Sequence, residues 1–300
     1  MVNTKEIQSF YPGTVEEVLV HMKPRTALIA GATQFMLNFE PHKKILPFQQ
    51  LIFLENIAAL KVITQTPETI HLGALCTAAQ LAAAAEVPQV LQQAAAVVGS
   101  PALRERATVG GNVLTASPTG DMLAALYALD ASVRLNSRQG ERVLGLEQFI
   151  LGPGKTAIRE EELLTGIEFP HIDAGGQSCY LKTAAKHTNG ISKVSLAAVL
   201  PSHERRGKQY PVRLAYGAVG ATILRARALE RLLQDRTGAE PAIAASQVRQ
   251  LLADVLTPID DIRSTAWYRR QVAINLTLQV LDITEGRRNT DGPADKSQRT

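Results

Sequence analysis

Two segments place backbone freedom directly after short apolar runs, and they are where this chain is best equipped for chemistry. The first is Ala30-Gly-Ala-Thr-Gln34, and the second is Ala107-Thr-Val-Gly-Gly-Asn112, continuing as Val113-Leu-Thr-Ala-Ser-Pro-Thr-Gly-Asp121. A diphosphate needs several N–H donors converging within about 3 Å, which a backbone provides only where side chains do not block approach. Glycine beside small hydroxyl residues suits that task, so each segment can hold phosphate oxygens. Each also reads as an ordinary turn, because glycine serves any left-handed position. Neither has the Gly-x-Gly-x-x-Gly spacing of a Rossmann site, and Gly31 lacks both the following glycines and the acid about 20 residues on. Their pairing says more than either alone. Thr115 and Ser117 lie between Asn112 and Asp121, so a connected row of small polar side chains can hydrogen-bond a polyol. Asp121 equally reads as the N-cap of the apolar run behind it.

The elements that must position these segments follow from local pattern. Thr14-Val-Glu-Glu17 is a capping-box sequence, predicting a helix to about Met22, which Lys23-Pro24 stops. Thr26 to Ala30 is a buried strand entering the first glycine segment. Leu51 to Leu54, Leu60 to Ile63 and Thr69 to Leu72 are further strands, and Thr77-Ala-Ala-Gln80 opens a helical pair reaching Val98. Met122 to Leu129 is helical, and Ser132 to Leu135 with Glu141 to Leu144 form a hairpin around Ser137-Arg-Gln-Gly140. Beyond Gly175-Gly176, strands are expected near 179–184, 192–200 and 210–219, then helices near 222–234, 241–255 and 265–284. Strands first and helices after indicate an α+β unit. The chain therefore divides into 1–174, with a subdivision near 60, then 175–286, and a polar tail, 287–300, expected to be disordered.

Composition removes several classes of function. At 300 residues the chain has a two-domain length, and 45% hydrophobic with 20% charged residues is ordinary for a folded soluble protein. No apolar stretch approaches the roughly 20 residues of a spanning helix, and the first residues lack the basic start and apolar core of a signal peptide, so a cytoplasmic location is expected. Half of the net charge of +4 sits in the last 14 residues, and no stretch interleaves aromatic with basic residues, which argues against nucleic-acid binding. Cys76 and Cys179 lie about a hundred residues apart, giving no disulfide framework and no clustered metal ligands.

The run Gly99-Ser-Pro-Ala-Leu-Arg-Glu-Arg-Ala-Thr-Val-Gly-Gly-Asn-Val-Leu-Thr-Ala-Ser-Pro-Thr-Gly-Asp121 resembles the signature of the flavin-binding subunit of molybdenum hydroxylases, the group of xanthine dehydrogenase, aldehyde oxidoreductase and carbon monoxide dehydrogenase. Ala30 to Thr33, Gly152-Pro-Gly-Lys-Thr156, Glu162-Leu-Leu-Thr165, Tyr180-Leu-Lys182 and Pro258 to Arg269 agree with it in order, so that the resemblance spans roughly residues 8 to 285. It implies an α+β fold: a two-part FAD-binding domain of the p-cresol methylhydroxylase type, then a small domain of a three-stranded sheet and three helices. By the same resemblance Leu28, Ala30, Gly31, Ala32, Thr33, Gln34 and Phe35 lie along the adenine and diphosphate side of FAD. Thr108, Gly110, Gly111 and Asn112 close on the diphosphate from the other side. Thr115 and Asp121 sit by the ribityl chain or flavin ring, Leu164 gives main-chain contacts, and Lys182 approaches the isoalloxazine edge. Without the resemblance, Lys182 reads as a solvated strand lysine.

The implied activity is electron transfer. FAD here collects electrons from the [2Fe–2S] clusters of an iron–sulfur subunit, fed by a molybdopterin-binding subunit, and reduces NAD or another acceptor. With no substrate proton to move, no catalytic acid–base pair is assigned, and no metal site is expected in this chain. A stand-alone flavin oxidoreductase and a flavin-less structural subunit are the alternatives. Two departures from the family pattern stand out: Ala32 and Gln34 replace a glycine and an acid, and Lys186-His187 then Asn189 replace adjacent arginines before an acid.

Overall fold

The computed structural model describes residues 7–38, 48–186, 189–205, 210–236 and 243–286. Among these, the chain starts with a small parallel sheet. Strand β1 (Gln8–Phe10) leads through α1 (Val15–His21) to β2 (Thr26–Ile29), and α2 (Thr33–Asn38) precedes β3 (Gln50–Phe53), which lies between the other two strands. Thr14 caps α1 by accepting the Glu17 amide, but the Glu17 carboxylate takes the Gly13 amide rather than that of Thr14, so the expected reciprocal box is offset by one residue. Val18, Ile52, Leu54 and Ile57 give this layer a core of its own.

Next come β4 (Ile63–Gln65), β5 (Thr69–Gly73), α3 (Ala78–Ala83), α4 (Gln89–Ala96), α5 (Pro101–Arg104), α6 (Val109–Leu114) and α7 (Asp121–Ala128). The hairpin β6 (Ser132–Ser137) and β7 (Gly140–Gly145), the short α8 (Leu146–Phe149), β8 (Ile150–Gly152) with β9 (Lys155–Thr156), and finally β10 (Leu163–Pro170) complete the part. Its antiparallel sheet has the order β4-β5-β10-β6-β7. The capping box at Thr77 is present in both directions. Residues 58–61 form a 3₁₀ turn where a strand was expected: the Leu60 carbonyl accepts the Leu75 amide, and the turn lies so close to Gly73 that a Cβ there would fall 2.3 Å from that carbonyl oxygen. Helix α7 is apolar on every side because it is enclosed on every side.

The last part is β11 (Gln177–Ala184), β12 (Ser192–Leu200), β13 (Arg213–Gly217), β14 (Leu224–Arg225), α9 (Arg227–Asp235), α10 (Ala245–Ala253) and α11 (Ala266–Gly286). The three expected strands pair as an antiparallel sheet, and a two-residue fourth strand, β14, delays the first helix from 222 to 227. Val194, Leu196, Ala198 and Leu200 face the helices α9–α11, whereas Ala197 and Val199 join the core around α4 and α7. Both faces of β12 are therefore buried, which accounts for its unbroken apolar run. Among the described residues no helix is long and apolar enough to cross a membrane. His187, in the second departure from the family pattern, and the 287–300 tail lie outside the described residues.

Candidate functional site

The two glycine segments meet. Gly31 sits against the backbone of Arg106 and Ala107, where an added Cβ would lie 1.6 Å from the Arg106 carbonyl oxygen, so only glycine allows this approach. Between them opens a cleft of about 1060 Å³, at the upper end of the range for small-molecule sites. It runs from the C-terminal end of β2, past α6 and the start of β10, to the 189–191 connection into β12. Leu28, Ala30, Gly31, Ala32, Thr33, Gln34 and Phe35 line one side. Thr108, Gly110, Gly111, Asn112, Thr115, Asp121 and Leu164 line the other. Lys182 is held to this wall through Asp121.

Each segment contributes differently from the loop that composition suggests. On the first side, the amides of Gly31, Ala32 and Thr33 have no hydrogen-bond partner among the described residues, and they precede the first turn of α2. Ala32 has φ +60°, the left-handed conformation that glycine adopts freely, so the alanine keeps the backbone shape at a cost of about 1 kcal/mol. Phe35 packs on Phe48 with ring centroids 5.4 Å apart.

The second segment is a helix start, not a loop. Thr108 caps α6 by accepting the Gly111 amide at 3.1 Å, and the Val109 and Gly110 amides go to the carbonyls of Cys76 and Ala74. Those donors are used within the fold, so the glycines serve another purpose. At Gly110 a Cβ would collide with Ala74 and Leu164; at Gly111 it would meet only Thr108 Oγ1, and the space beyond is open. One glycine permits packing and the other keeps a wall bare. Asn112 Oδ1 is buried without a partner, while Thr115 donates to the Asn112 carbonyl at 2.6 Å. Ser117 and Thr119, whose hydroxyls are 3.0 Å apart, add two further polar groups to the wall. At the start of β10 a register shift between Leu164 and Gly166 sends the Thr165 hydroxyl to Asn136 Oδ1 and leaves Leu164 against Gly110.

Asp121 occupies the first turn of α7, with Gly120 in the capping position, so it is not the N-cap. Its carboxylate is a junction. Oδ1 accepts from Tyr180 Oη at 2.6 Å and Ser192 Oγ at 2.8 Å, and Oδ2 accepts from Lys182 Nζ at 2.7 Å. Lys182 is thus paired rather than solvated, its side chain 13% exposed. Burial, and then the Asp121 charge, push the Tyr180 phenol well above its ordinary value, so it stays a neutral donor. Tyr180 and Lys182 share one face of β11, which the two-residue spacing already indicates. Ser192 carries no such signal: pairing jumps from Thr183–Val194 to Ala184–Ser192, leaving Lys193 as an extra residue and turning Ser192 toward α7.

Among the described residues, no group of His, Cys, Asp or Glu side chains could hold a metal ion. Cys76 and Cys179 are free thiols, both pushed up to about 11 by burial.

Residues 5–172 match the family described as FAD binding domain in molybdopterin dehydrogenase, and residues 179–283 match CO dehydrogenase flavoprotein C-terminal domain. The chain belongs to this family, the FAD-binding subunits of molybdenum hydroxylases, and is an oxidoreductase subunit. It is 29% identical over 305 residues to the nicotinate dehydrogenase FAD-subunit of Eubacterium barkeri, covering 94% of this chain and 98% of that one. It is 26% identical to the xanthine dehydrogenase FAD-binding subunit of Escherichia coli O157:H7, covering 71% and 73%. The fold matches a chain of the carbon monoxide dehydrogenase of Hydrogenophaga pseudoflava that lacks the Mo-pyranopterin moiety, with a TM-score of 0.80 at 24% identity, over 94% of this chain and 98% of the other.

The cleft fits FAD on its own chemistry. Three amides at the start of α2, unpartnered among the described residues, suit an anion, the bare wall at Gly111 admits close approach, and the orphaned Asn112 oxygen awaits a donor.

Proposed function

We propose that this chain holds one FAD in the cleft as the electron-transfer subunit of a molybdenum hydroxylase. In this reading it takes electrons from the [2Fe–2S] clusters of an iron–sulfur subunit, fed by a molybdopterin-binding subunit, and passes them to NAD or another acceptor in the cytoplasm. The observation that carries it is the convergence of the Gly31–Thr33 amides, the Gly111 wall and Asp121, which holds Lys182 behind it, on one cleft. Two cysteines about a hundred residues apart offer no cluster ligands here, which supports a reading in which another polypeptide holds the clusters.

FAD supplies the redox chemistry; the chain supplies binding and electrostatics. Gly31, Ala32 and Thr33 donate to the diphosphate, with Leu28, Ala30, Gln34 and Phe35 along the adenine side. Thr108 and Gly110 hold α6 in place, Gly111 admits the diphosphate, and Asn112 and Thr115 offer side-chain groups to the ribityl chain. The Leu164 main chain, Asp121 and Lys182 border the flavin ring.

The purified chain is expected to show flavin absorbance near one equivalent, and Gly111→Val to remove it while the far-ultraviolet circular dichroism stays native. A Gly111→Val protein with stoichiometric flavin would overturn the site. Reduction of the loaded chain by NADH without partner subunits is the expected result for the acceptor, and no bleaching with NADH removes NAD from the reading.

A further inference from the structure

Among the described residues, the three side chains that donate to the Asp121 carboxylate all come from the second sheet, and of them only Lys182 has a part in the function proposed above. Tyr180 is 6% exposed and Ser192 1%, and both hydroxyls are donated to the same oxygen, Oδ1. Neither residue lines the cleft, whereas Asp121 does. A carboxylate has about four acceptor positions, so three donors here leave one free, and the two neutral donors decide which way it points. They also hold the carboxylate in place for the Lys182 ammonium, whose second contact, the Val97 carbonyl at 3.4 Å, is long. Removing a hydroxyl leaves the negative charge less compensated.

We propose that Tyr180 and Ser192 are positioning residues: by fixing the Asp121 carboxylate against Lys182, they set the local electrostatic potential that this ion pair presents to the redox group in the cleft. This rests on the FAD reading. With both hydroxyls in place, carboxylate and ammonium form one nearly neutral unit. Without them the carboxylate's charge is less offset where it faces the cleft, the local potential there is more negative, and a reduced flavin, which carries more electron density than the oxidised form, is disfavoured. The role is exercised through Asp121 and not by contact.

The test is a redox titration of the flavin-loaded chain. Tyr180→Phe is expected to lower the midpoint potential by about a tenfold change in the oxidised-to-reduced equilibrium, about 30 mV for a two-electron couple. Ser192→Ala moves it the same way, and Ser192→Thr, which keeps the hydroxyl, restores the wild-type value. In an Asp121→Asn background the Tyr180→Phe shift vanishes, because the two residues act as one unit. Should Asp121→Asn fail to hold flavin, Tyr127→Phe is the control. Tyr127 is a buried tyrosine whose hydroxyl donates to the Leu146 carbonyl toward the other end of α7. A shift from Tyr180 and none from Tyr127 supports the proposal. Equal shifts from the two tyrosines, or a Tyr180→Phe potential equal to wild type, overturn it while leaving FAD binding standing. A wild-type chain that takes up no flavin overturns both.

Discussion

Helix α7 carries an aspartate at each end, and the second sheet answers both, but with different chemistry. At the N-terminal end Asp121 meets one lysine and two hydroxyls. At the other end Asp130 occupies a left-handed position, φ +52°, closing a Schellman turn in which the Ala131 and Asp130 amides bond the Leu126 and Tyr127 carbonyls. There Arg213 and Arg225 both bind its carboxylate, and Arg225 also grips Glu230 with two hydrogen bonds of 2.6 and 3.0 Å. Burial alone would raise the Asp130 carboxyl, yet the two guanidinium charges hold it below its usual range. The Arg225 guanidinium additionally covers the Tyr127 carbonyl, a partial negative charge at the helix end. A planar fork with fixed donors makes the far end rigid, whereas a flexible ammonium and two hydroxyls leave the cleft end tunable. One end of a single helix is a fastening between the two parts of the chain, and the other, in the function proposed, is electrostatics for the site.

The largest effect expected from this contrast lies at the far end. Arg225→Ala strips Glu230 and Asp130 of their shared cation and should cost about 3–5 kcal/mol in urea unfolding, while the flavin potential of the folded protein stays at the wild-type value. Unchanged stability, or a moved potential, would erase the distinction. Lys182→Ala should show the reverse profile. Tyr180 and Ser192 still satisfy Asp121, so the stability loss is about 1–2 kcal/mol, but the potential falls because a cation is removed beside a retained anion. A potential that stays or rises in redox titration takes Lys182 out of the electronic role.

A third carboxylate sharpens the comparison through pH. Asp173, where the chain passes from β10 to β11, is bound by the Ser202 amide and hydroxyl, the Gly175 amide and Arg205. Burial alone would raise its carboxyl, but these donors, led by Ser202, bring it down to about 2. A depressed carboxylate contributes stability above the unfolded value of about 3.9, and that contribution is lost as pH falls from about 4 to about 2. Asp173→Asn should therefore be about 1 kcal/mol less stable than wild type at neutral pH, with the gap closing across that acid window in thermal or urea melts. A gap constant down to pH 2 would deny the tie. The smallest effect is at the cleft's first side: Ala32→Gly relieves the left-handed alanine, partly offset by greater freedom of the unfolded chain. The urea midpoint should rise by about 0.5 kcal/mol equivalent with flavin still bound, and a fall would show that the alanine is not strained.

Much of this was legible from residue order. The helix starting after Thr77, the hairpin around Gly140, the helix after Asp121 and the strands of the second sheet follow from capping sequences, turn residues and apolar periodicity, all of which act over a few positions. The two glycine segments stood out for the same reason. Their different uses did not. Thr108 to Leu114 looks like a flexible loop because Gly-Gly is a poor helix former, yet Thr108 caps it and Cys76 and Ala74 take its amides from 33 and 36 residues away, overriding that preference. The 3₁₀ turn at 58–61 likewise depends on Gly73 and Leu75 being opposite.

What the order of residues determined by itself is local: which segments turn, which alternate, and which lack side chains where a ligand must come close. Only the tertiary structure decided that Gly31 rests on Arg106, that the Gly31–Thr33 amides find no partner among the described residues while those of 109–111 are consumed, and that Lys182 is paired. The physical reason is that these outcomes depend on long-range partners 33 to 75 positions apart, brought together by the fold. One extra residue at Lys193 is enough to turn Ser192 onto the face where Asp121 waits, and no local pattern encodes that shift.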